Sequence, residues 1–181
     1  MKKFIIVAIA LFLPLSATAA EIDMKNSSFT WKASKVTGAS HTGQVIPISS
    51  SIELKDGKIT GGQITFNMKT FTVTDIEGKW ADKFLKHIKD SDFLDVEKYP
   101  TATLKILSIE KGQGTGELTV MGKTNRIVFS VKKEAEKYTG TATFDRTKFG
   151  MTYGSDNFFQ GLGDKAIDDL VSITFDIALT R

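Results

Sequence analysis

The two histidines are the residues best suited to acid–base or metal chemistry in this sequence, and their settings favour neither. His41 lies in a polar run that ends at Gly43. His87 lies in a helical pattern, with the apolar residues Phe84 and Leu85 shortly before it and Ile88 directly after it. Neither belongs to a short metal-binding spacing. The chain contains no cysteine, so it offers no thiol nucleophile, thiolate ligand or disulfide. We expect solvated or capping roles for both histidines, and neither a metal nor a cofactor.

Charged residues near the C-terminus are the second place where chemistry could occur. A hydrolase would need a nucleophile paired with a base, and the run Asp145-Arg146 supplies no such pair. Asp164, Asp168 and Asp169 do not follow the spacing of an EF-hand calcium loop. The fork of donors on Arg146 favours pairing with a carboxylate or capping of loop carbonyls. These patterns predict a protein that is not an enzyme.

The surrounding elements are mostly short strands. From Leu170 to Leu179 apolar and polar residues alternate, which is typical of a strand with one buried face. Similar runs recur along the chain, separated by turn signals such as Asp56-Gly57. We count about eight, the number that closes a small antiparallel barrel able to hold one ligand. The predicted fold class is all-β with one or two short helices: an eight-stranded antiparallel β-barrel around an apolar cavity.

One segment has helical periodicity. Between Glu77 and Lys89, apolar residues fall at helical spacing, and Thr74 with Glu77 matches a capping box. The pattern predicts a helix of about three turns that flanks or plugs one end of the barrel. The alternative is a lid or portal whose apolar face also touches a ligand. Both descriptions can hold together.

A glycine-punctuated segment that precedes the last strand is unusually rich in apolar side chains. Loops normally lie on the surface and are polar. This one contains Phe149, Met151, Tyr153, Phe158, Phe159 and Leu162. An aromatic loop that feeds a one-sided strand predicts a lid over an apolar cavity.

Several motifs occur in a characteristic order. They are Trp31 to Gly38 with His41-Thr42-Gly43, Ser91 to Asp95 with Tyr99 to Leu104, Gly116 to Val120 with Gly122-Lys123-Thr124, Phe144 to Gly150, Tyr153-Gly154, Phe158-Phe159 and Leu162 to Lys165. In this order they resemble the YceI-like family, periplasmic polyisoprenoid-binding proteins with a lipocalin-like barrel. Leu104 stands where the family usually has phenylalanine. The resemblance implies that a long isoprenoid or fatty chain is carried inside the barrel.

Strand parity, which is the alternation of inward- and outward-facing positions, and the resemblance together predict the ligand-binding residues. Those expected on the barrel wall or lid are Trp31, Phe66, Met68, Phe84, Leu104, Ile106, Leu118, Val120, Phe129, Phe144, Phe158, Ile173 and Phe175. His41 and Arg146 are candidates for the rim, where a headgroup would lie. The alternative for the interior is a large aromatic core filled by the protein's own side chains.

The pattern of the N-terminal residues predicts an export signal. Lys2 and Lys3 precede the apolar run Phe4 to Leu15 and the small residues from Ser16 to Ala20. We expect cleavage after Ala19 or Ala20, a signal over residues 1–19, a single domain over 20–181 and a periplasmic location. The formal charge is +3, the basic residues are scattered, and nucleic-acid binding is not expected.

Three functions remain open at this stage. The first is an exported carrier or sequestering protein for a polyisoprenoid, a quinone-like isoprenoid or a fatty acid-like lipid. The second is a small outer-membrane barrel with the same strands facing lipid. The third is an accessory factor in isoprenoid or quinone metabolism or in a stress response, or an enzyme of unknown type. Homodimer formation and transient membrane contact are compatible with the resemblance.

Overall fold

The strands of this chain form one antiparallel sheet that closes on itself. The computed structural model describes residues 18–180. Its strands are β1 (Thr18–Ile22), β2 (Ser28–Lys35), β3 (Ser40–Gln44), β4 (Ile46–Lys55), β5 (Lys58–Asn67), β6 (Thr101–Glu110), β7 (Gln113–Val120), β8 (Lys123–Ser130), β9 (Lys132–Glu134), β10 (Lys137–Asp145) and β11 (Ile167–Thr180).

The last strand closes the barrel. One edge of β11 pairs with β10, and its other edge pairs with β2 and then β1. Consequently β1 and β2 share one position in the wall, as do β3 and β4, which are separated only by Val45. The short β9 continues along the edge of β10 that β8 begins. Counted this way the wall has eight positions, and the predicted eight-stranded antiparallel barrel is confirmed.

The local patterns form the expected structures. On β11, Ile177 is buried in the core while Thr174 is exposed, as the alternation predicts. At the β4–β5 hairpin, Asp56 and Gly57 both have positive φ, 52° and 68°. Two successive residues of this kind form the turn that matches the twist of paired strands. The hairpin turn predicted at this dipeptide is therefore confirmed.

The two ends of the barrel differ. At the end that contains the β4–β5 and β6–β7 turns, which we call the closed end, isoleucines fill the interior. They are Ile22, Ile52, Ile59, Ile64, Ile106 and Ile177, all buried. The opposite end, which we call the mouth, contains the β2–β3 hairpin, the helical segment between β5 and β6, and the loop 146–166. The interior is therefore packed at one end only.

Helix α1 (Gly78–Lys89) lies where the periodicity predicts it, but the predicted capping box is wrong. The N-cap residue is Glu77, and its side chain makes no capping hydrogen bond. Thr74 instead donates from its hydroxyl and its backbone N–H to the carbonyl of Thr42. These bonds hold Thr74 against β3, and the helix begins three residues later than the capping box predicts.

Three single-turn 3₁₀ segments complete the secondary structure: Met68–Thr70, Arg146–Phe149 and Gly163–Lys165. Of the predicted export signal, Thr18 and Ala19 lie in β1, and the rest falls outside the described residues. Within residues 18–180, no helix has the length and apolar character that a membrane span requires.

Candidate ligand-binding cavity

The mouth half of the barrel contains a cavity of about 420 Å³. Side chains of β11 show that the protein does not fill it. Val171, Ile173 and Phe175 line the cavity and are only half-buried, whereas Ile177, nearer the closed end on the same face, is buried. The apolar wall therefore has a large surface that contacts no other part of the chain.

The floor of the cavity is a row of phenylalanine rings. Phe66 packs edge-on against Phe29 with ring centroids 5.0 Å apart. Phe29 lies 6.5 Å from Phe175, which lies 6.3 Å from Phe129 in a T-shaped arrangement. These separations fall in the range in which aromatic pairs attract each other. The four rings separate the cavity from the isoleucines of the closed end.

Glycines on neighbouring strands provide the space for two of these rings. A Cβ atom at Gly114 would lie 2.1 Å from the ring of Phe129. A Cβ atom at Gly140 would lie 2.5 Å from the ring of Phe175 and 2.0 Å from the carbonyl oxygen of Ser130. Neither position can accept a side chain without movement of its neighbours. Because Gly114 on β7 and Gly140 on β10 have no side chain, the rings of Phe129 and Phe175 can occupy these positions in the floor.

Helix α1 is attached to one side of the mouth through a stack of rings. The indole of Trp31 lies between Phe71, with centroids 4.7 Å apart, and Phe84 of α1, at 6.1 Å. Trp31 is 2% exposed, and its indole N–H donates to the carbonyl oxygen of Thr72 at 2.9 Å. His41 also contacts Phe84, with ring centroids 4.8 Å apart. The helix therefore covers the mouth in a defined position.

The last turn of α1 contacts the aromatic loop. His87 packs edge-on against Tyr153 at 4.9 Å and against Phe93 at 5.1 Å. Tyr153 and Phe93 also contact each other at 5.1 Å. The described contacts of His87 are therefore packing contacts at the mouth.

Arg146 organises the loop 146–166. Its side chain is almost fully buried, and all five guanidinium N–H groups donate to protein acceptors. These acceptors are the carbonyl oxygens of Met151, Tyr153, Ile167 and Asp168 and the carboxylate of Asp169. Burial lowers the pKa of the guanidinium, and the nearby carboxylates, Asp169 first, oppose that shift. Pairing with a carboxylate and capping of loop carbonyls are both present, and no N–H group remains for a headgroup.

Two carboxylates fix the remainder of this loop. The second oxygen of Asp169 accepts hydrogen bonds at 2.8 Å from the hydroxyl of Ser155 and from the amide of Asn157. Asp145 accepts from the backbone and hydroxyl of Thr147. Burial raises the pKa of the Asp145 carboxyl, but these hydrogen bonds outweigh that effect and hold the pKa below its ordinary value. The aromatic loop is thus held by a polar network at its base.

His41 is the polar side chain of the β2–β3 hairpin that combines a cavity contact with an ionisable neighbour. It lines the cavity, and its Nδ1 lies 3.2 Å from a carboxylate oxygen of Asp75. Both side chains remain partly exposed. Ser34, Lys35 and Ser40 line the same rim. This is the part of the mouth where a polar group could bind without displacing a buried hydrogen bond.

Most of the sequence-predicted wall residues lie on the cavity, as do both rim candidates, His41 and Arg146. The wall residues found there are Trp31, Phe66, Met68, Phe84, Leu104, Leu118, Val120, Phe129, Phe144, Ile173 and Phe175.

Ile106 and Phe158 do not line the cavity. Ile106 has the expected inward parity, but it lies one pleat farther from the mouth than Leu104, in the core of the closed end. Phe158 lies on the outer side of the loop and is 57% exposed.

Sequence reasoning missed two groups of lining residues. Phe29, Ile127 and Val171 share strand parity with nominated neighbours two residues away, so a stricter use of alternation would have found them. Phe71 and Phe93 belong to irregular segments on either side of α1. No periodic signal marks residues of that kind.

Among residues 18–180, no group of three or more His, Cys, Asp or Glu side chains is arranged to hold a metal ion. The carboxylates of Asp168 and Asp169 instead accept hydrogen bonds from Leu170 and from the Arg146 network. What the site can do chemically is to surround an apolar molecule and present a few polar groups at one opening.

Comparison with protein families identifies the fold. A family model described as the YceI-like domain matches residues 21–179. The chain belongs to the YceI-like family. Among curated relatives, a UPF0312 protein of Vibrio parahaemolyticus is 31% identical over 144 residues, 73% of this chain and 74% of the relative. A UPF0312 protein of Shewanella baltica is 28% identical over 173 residues, 83% of this chain and 88% of the relative.

Solved structures with the same fold extend the family comparison. Burkholderia cenocepacia BcnA superposes with a TM-score of 0.61 at 18% identity, covering 88% of this chain and 99% of that protein. A polyisoprenoid binding domain of Saccharophagus degradans, implicated in plant cell wall breakdown, gives 0.62 at 14% identity and covers 90% and 98%. At these identities the likeness shows the fold, and the family's barrel is the one described above.

Proposed function

We propose that this protein is a non-enzymatic carrier or sequestering protein that binds the hydrocarbon chain of a lipid in the mouth half of its barrel. The observation that carries the proposal is the apolar cavity of about 420 Å³ in the mouth half, where Val171, Ile173 and Phe175 of β11 stay half-buried while Ile177, the next residue on the same face, is buried. A fold that needed only stability would bury that apolar surface against its own side chains.

The energetics favour a long chain over a small apolar molecule. Each buried methylene contributes about 0.8 kcal/mol, so about twenty buried carbons contribute about 16 kcal/mol. The estimated cost of association is about 4–15 kcal/mol or more, and a chain of this length offsets much more of it than a small apolar molecule does. The polar rim around His41 suits a single small headgroup. A polyisoprenoid is the first chemical class to test, because a solved protein of this fold is named for binding one; a quinone-like isoprenoid or a fatty acid follows.

We place the carrier in the periplasm on the strength of the N-terminal sequence. The basic start, the short apolar run and the small residues before Glu21 together form an export signal. The protein would then meet lipid that leaves or enters a membrane outside the cytoplasm. Fractionation of cells that express the full chain tests the location, and retention of the protein in the cytoplasm would contradict it.

The charge on the outer wall argues against a barrel embedded in a membrane. On the outer face, Lys105 of β6 is paired in register with Glu117 of β7, which is paired with Arg126 of β8. Three exposed charged side chains therefore lie side by side on neighbouring strands. A basic residue on the lipid-facing side of a membrane barrel costs about 2–4 kcal/mol at the midplane. The outer wall is therefore suited to water, and the apolar inner wall to lipid.

Replacing Ala142 with tryptophan tests the proposal. Ala142 is buried on the cavity wall, and Thr143 beside it faces outward. Ala142→Trp fills the cavity and should abolish lipid binding, whereas Thr143→Trp should leave it unchanged. The measurement is organic extraction of each protein after purification from its host, followed by mass spectrometry of the extract.

Folding is checked first by circular dichroism and urea unfolding, and Ala142→Phe replaces the tryptophan variant if that variant does not fold. Equal lipid content in the inward and outward variants would contradict binding inside the barrel. Absence of any lipid from the wild-type extract, together with no binding of added polyprenyl phosphate or fatty acid, would end the proposal.

A further inference from the structure

Helix α1 has an apolar stripe that extends beyond the surface it covers. Trp80, Phe84 and Ile88 lie four residues apart and therefore share one side of the helix. Phe84 and Ile88 line the cavity, whereas Trp80 at the start of the helix is 74% exposed. A tryptophan with this exposure is well suited to a boundary between water and an apolar phase, since its ring is apolar and its N–H is polar.

Three lysines lie next to Trp80. Lys79, Lys83 and Lys86 are spaced by four and three residues, so they share a face, and Lys83 lies one turn from Trp80. All three are exposed, and in the described part of the chain none forms an ion pair. Asp82, the one acidic residue of the helix, lies three residues after Lys79 and four before Lys86, so it shares their face and leaves a net charge of +2 there. This face thus combines unpaired positive charge with an exposed aromatic ring.

The aromatic loop adds a second exposed apolar group beside the same mouth. Phe158 and Phe159 are 57% and 48% exposed. Their loop contacts α1 through Tyr153, whose ring lies 4.9 Å from that of His87. The loop also carries two exposed acidic residues, Asp156 and Asp164, so attraction for an anionic surface comes from the lysines of α1. The loop contributes apolar contact.

We infer that this end of the molecule docks on a bilayer surface that contains anionic lipid, with the cavity mouth facing the membrane. A lysine-rich helix face with exposed tryptophan is the pattern of helices that lie in a membrane interface. The phosphate groups of anionic lipids complement Lys79, Lys83 and Lys86. The docking surface, defined by these lysines with Trp80, Phe158 and Phe159, is continuous with the mouth through Phe84.

The inference rests on the proposed function and deepens it, because it states how a hydrocarbon chain reaches the cavity. A chain that moved through water would lose its apolar contacts on the way. With the mouth held against the bilayer, the chain passes beneath α1 directly from one apolar environment to the other.

Sedimentation with lipid vesicles tests the docking surface. The full-length mature protein is mixed with vesicles of phosphatidylcholine alone or with added phosphatidylglycerol. We expect binding to the anionic vesicles, and a loss of about five-fold in affinity for each lysine replaced by glutamine at positions 79, 83 and 86. The matched control replaces three lysines of the closed end, Lys55, Lys58 and Lys111, with glutamine. It should leave binding to the anionic vesicles unchanged.

Tryptophan fluorescence provides an independent readout. The chain contains two tryptophans, and Trp31 is already buried. A blue shift on addition of anionic vesicles therefore reports Trp80, and Trp80→Phe should remove it while most of the sedimentation persists. Phe158→Ser combined with Phe159→Ser should weaken binding to the same vesicles without changing the fluorescence of the free protein.

The outcomes separate docking from lipid binding in the cavity. If wild-type protein retains extracted lipid but neither sediments with anionic vesicles nor shifts its emission, docking is wrong and the proposed function stands. If Ala142→Trp sediments normally but carries no lipid, both proposals are supported. Docking is overturned if the closed-end lysine variant loses as much binding as the α1 variant. Docking is also overturned if the wild-type protein is a dimer in ultracentrifugation and the α1 lysine variant is a monomer, since the face would then be an interface between two copies.

Discussion

At the scale of single residues, Arg146 decides how the mouth is built. Its five donors join the start of the loop 146–166 to the start of β11, and Asp169 extends the network to Ser155. From the sequence, Arg146 can be predicted as a cap for carbonyls or as a headgroup contact. The sequence does not choose between them, because the choice depends on acceptors up to 23 residues away.

Loss of this arginine should loosen the loop. Arg146→Met leaves four carbonyls and the carboxylate of Asp169 without their donor, and removal of one member of a buried ion pair costs about 3–5 kcal/mol. We expect urea unfolding to show a loss of that order, and chymotrypsin to cut faster at Phe158 and Phe159.

Arg126→Met is the matched control, because Arg126 is exposed on the outer wall. Its effect should stay within about 0.5 kcal/mol. Similar stability and similar cleavage for the two variants would contradict the structural role of Arg146.

At the scale of elements, alternation predicts which face of a strand is inside but not how far along the barrel a residue lies. This explains why Leu104 lines the cavity and Ile106, with the same parity, lies in the closed end. The position of the floor depends on glycines of neighbouring strands, such as Gly114 and Gly140, which no single strand pattern reveals. In loops, where no period exists, Phe158 could not be assigned to the inside or the outside.

The parity of β11 can be tested with a pair of adjacent substitutions. Phe175→Asp places a carboxylate on the apolar wall, which costs several kcal/mol unless the group is protonated. Thr174→Asp places the same group on the exposed face and should cost about 1 kcal/mol or less. Urea unfolding and lipid content measure both effects, and equal behaviour of the two variants would contradict the assigned register.

At the scale of the whole molecule, the two halves of the barrel interior have different roles. One half is a packed core that stabilises the fold, and the other contains the cavity that would bind a ligand. The isoleucines of the closed end form a core that needs no ligand, and the mouth half keeps apolar surface available. The sequence predicts the eight strand positions of the wall, the helix and the apolar interior, because these follow from periodicity and turn residues. The division into two halves could not be predicted, since it depends on side chains from separate strands that meet at one level.

The most direct measurement is the electron density inside the barrel in crystals of the protein purified from its own host. We expect continuous elongated density that runs from beneath α1 down to the rings of Phe129 and Phe175, with any polar end near His41. A mouth half occupied by the protein's own side chains, or filled only with water, would contradict the central claim that this space holds a hydrocarbon chain.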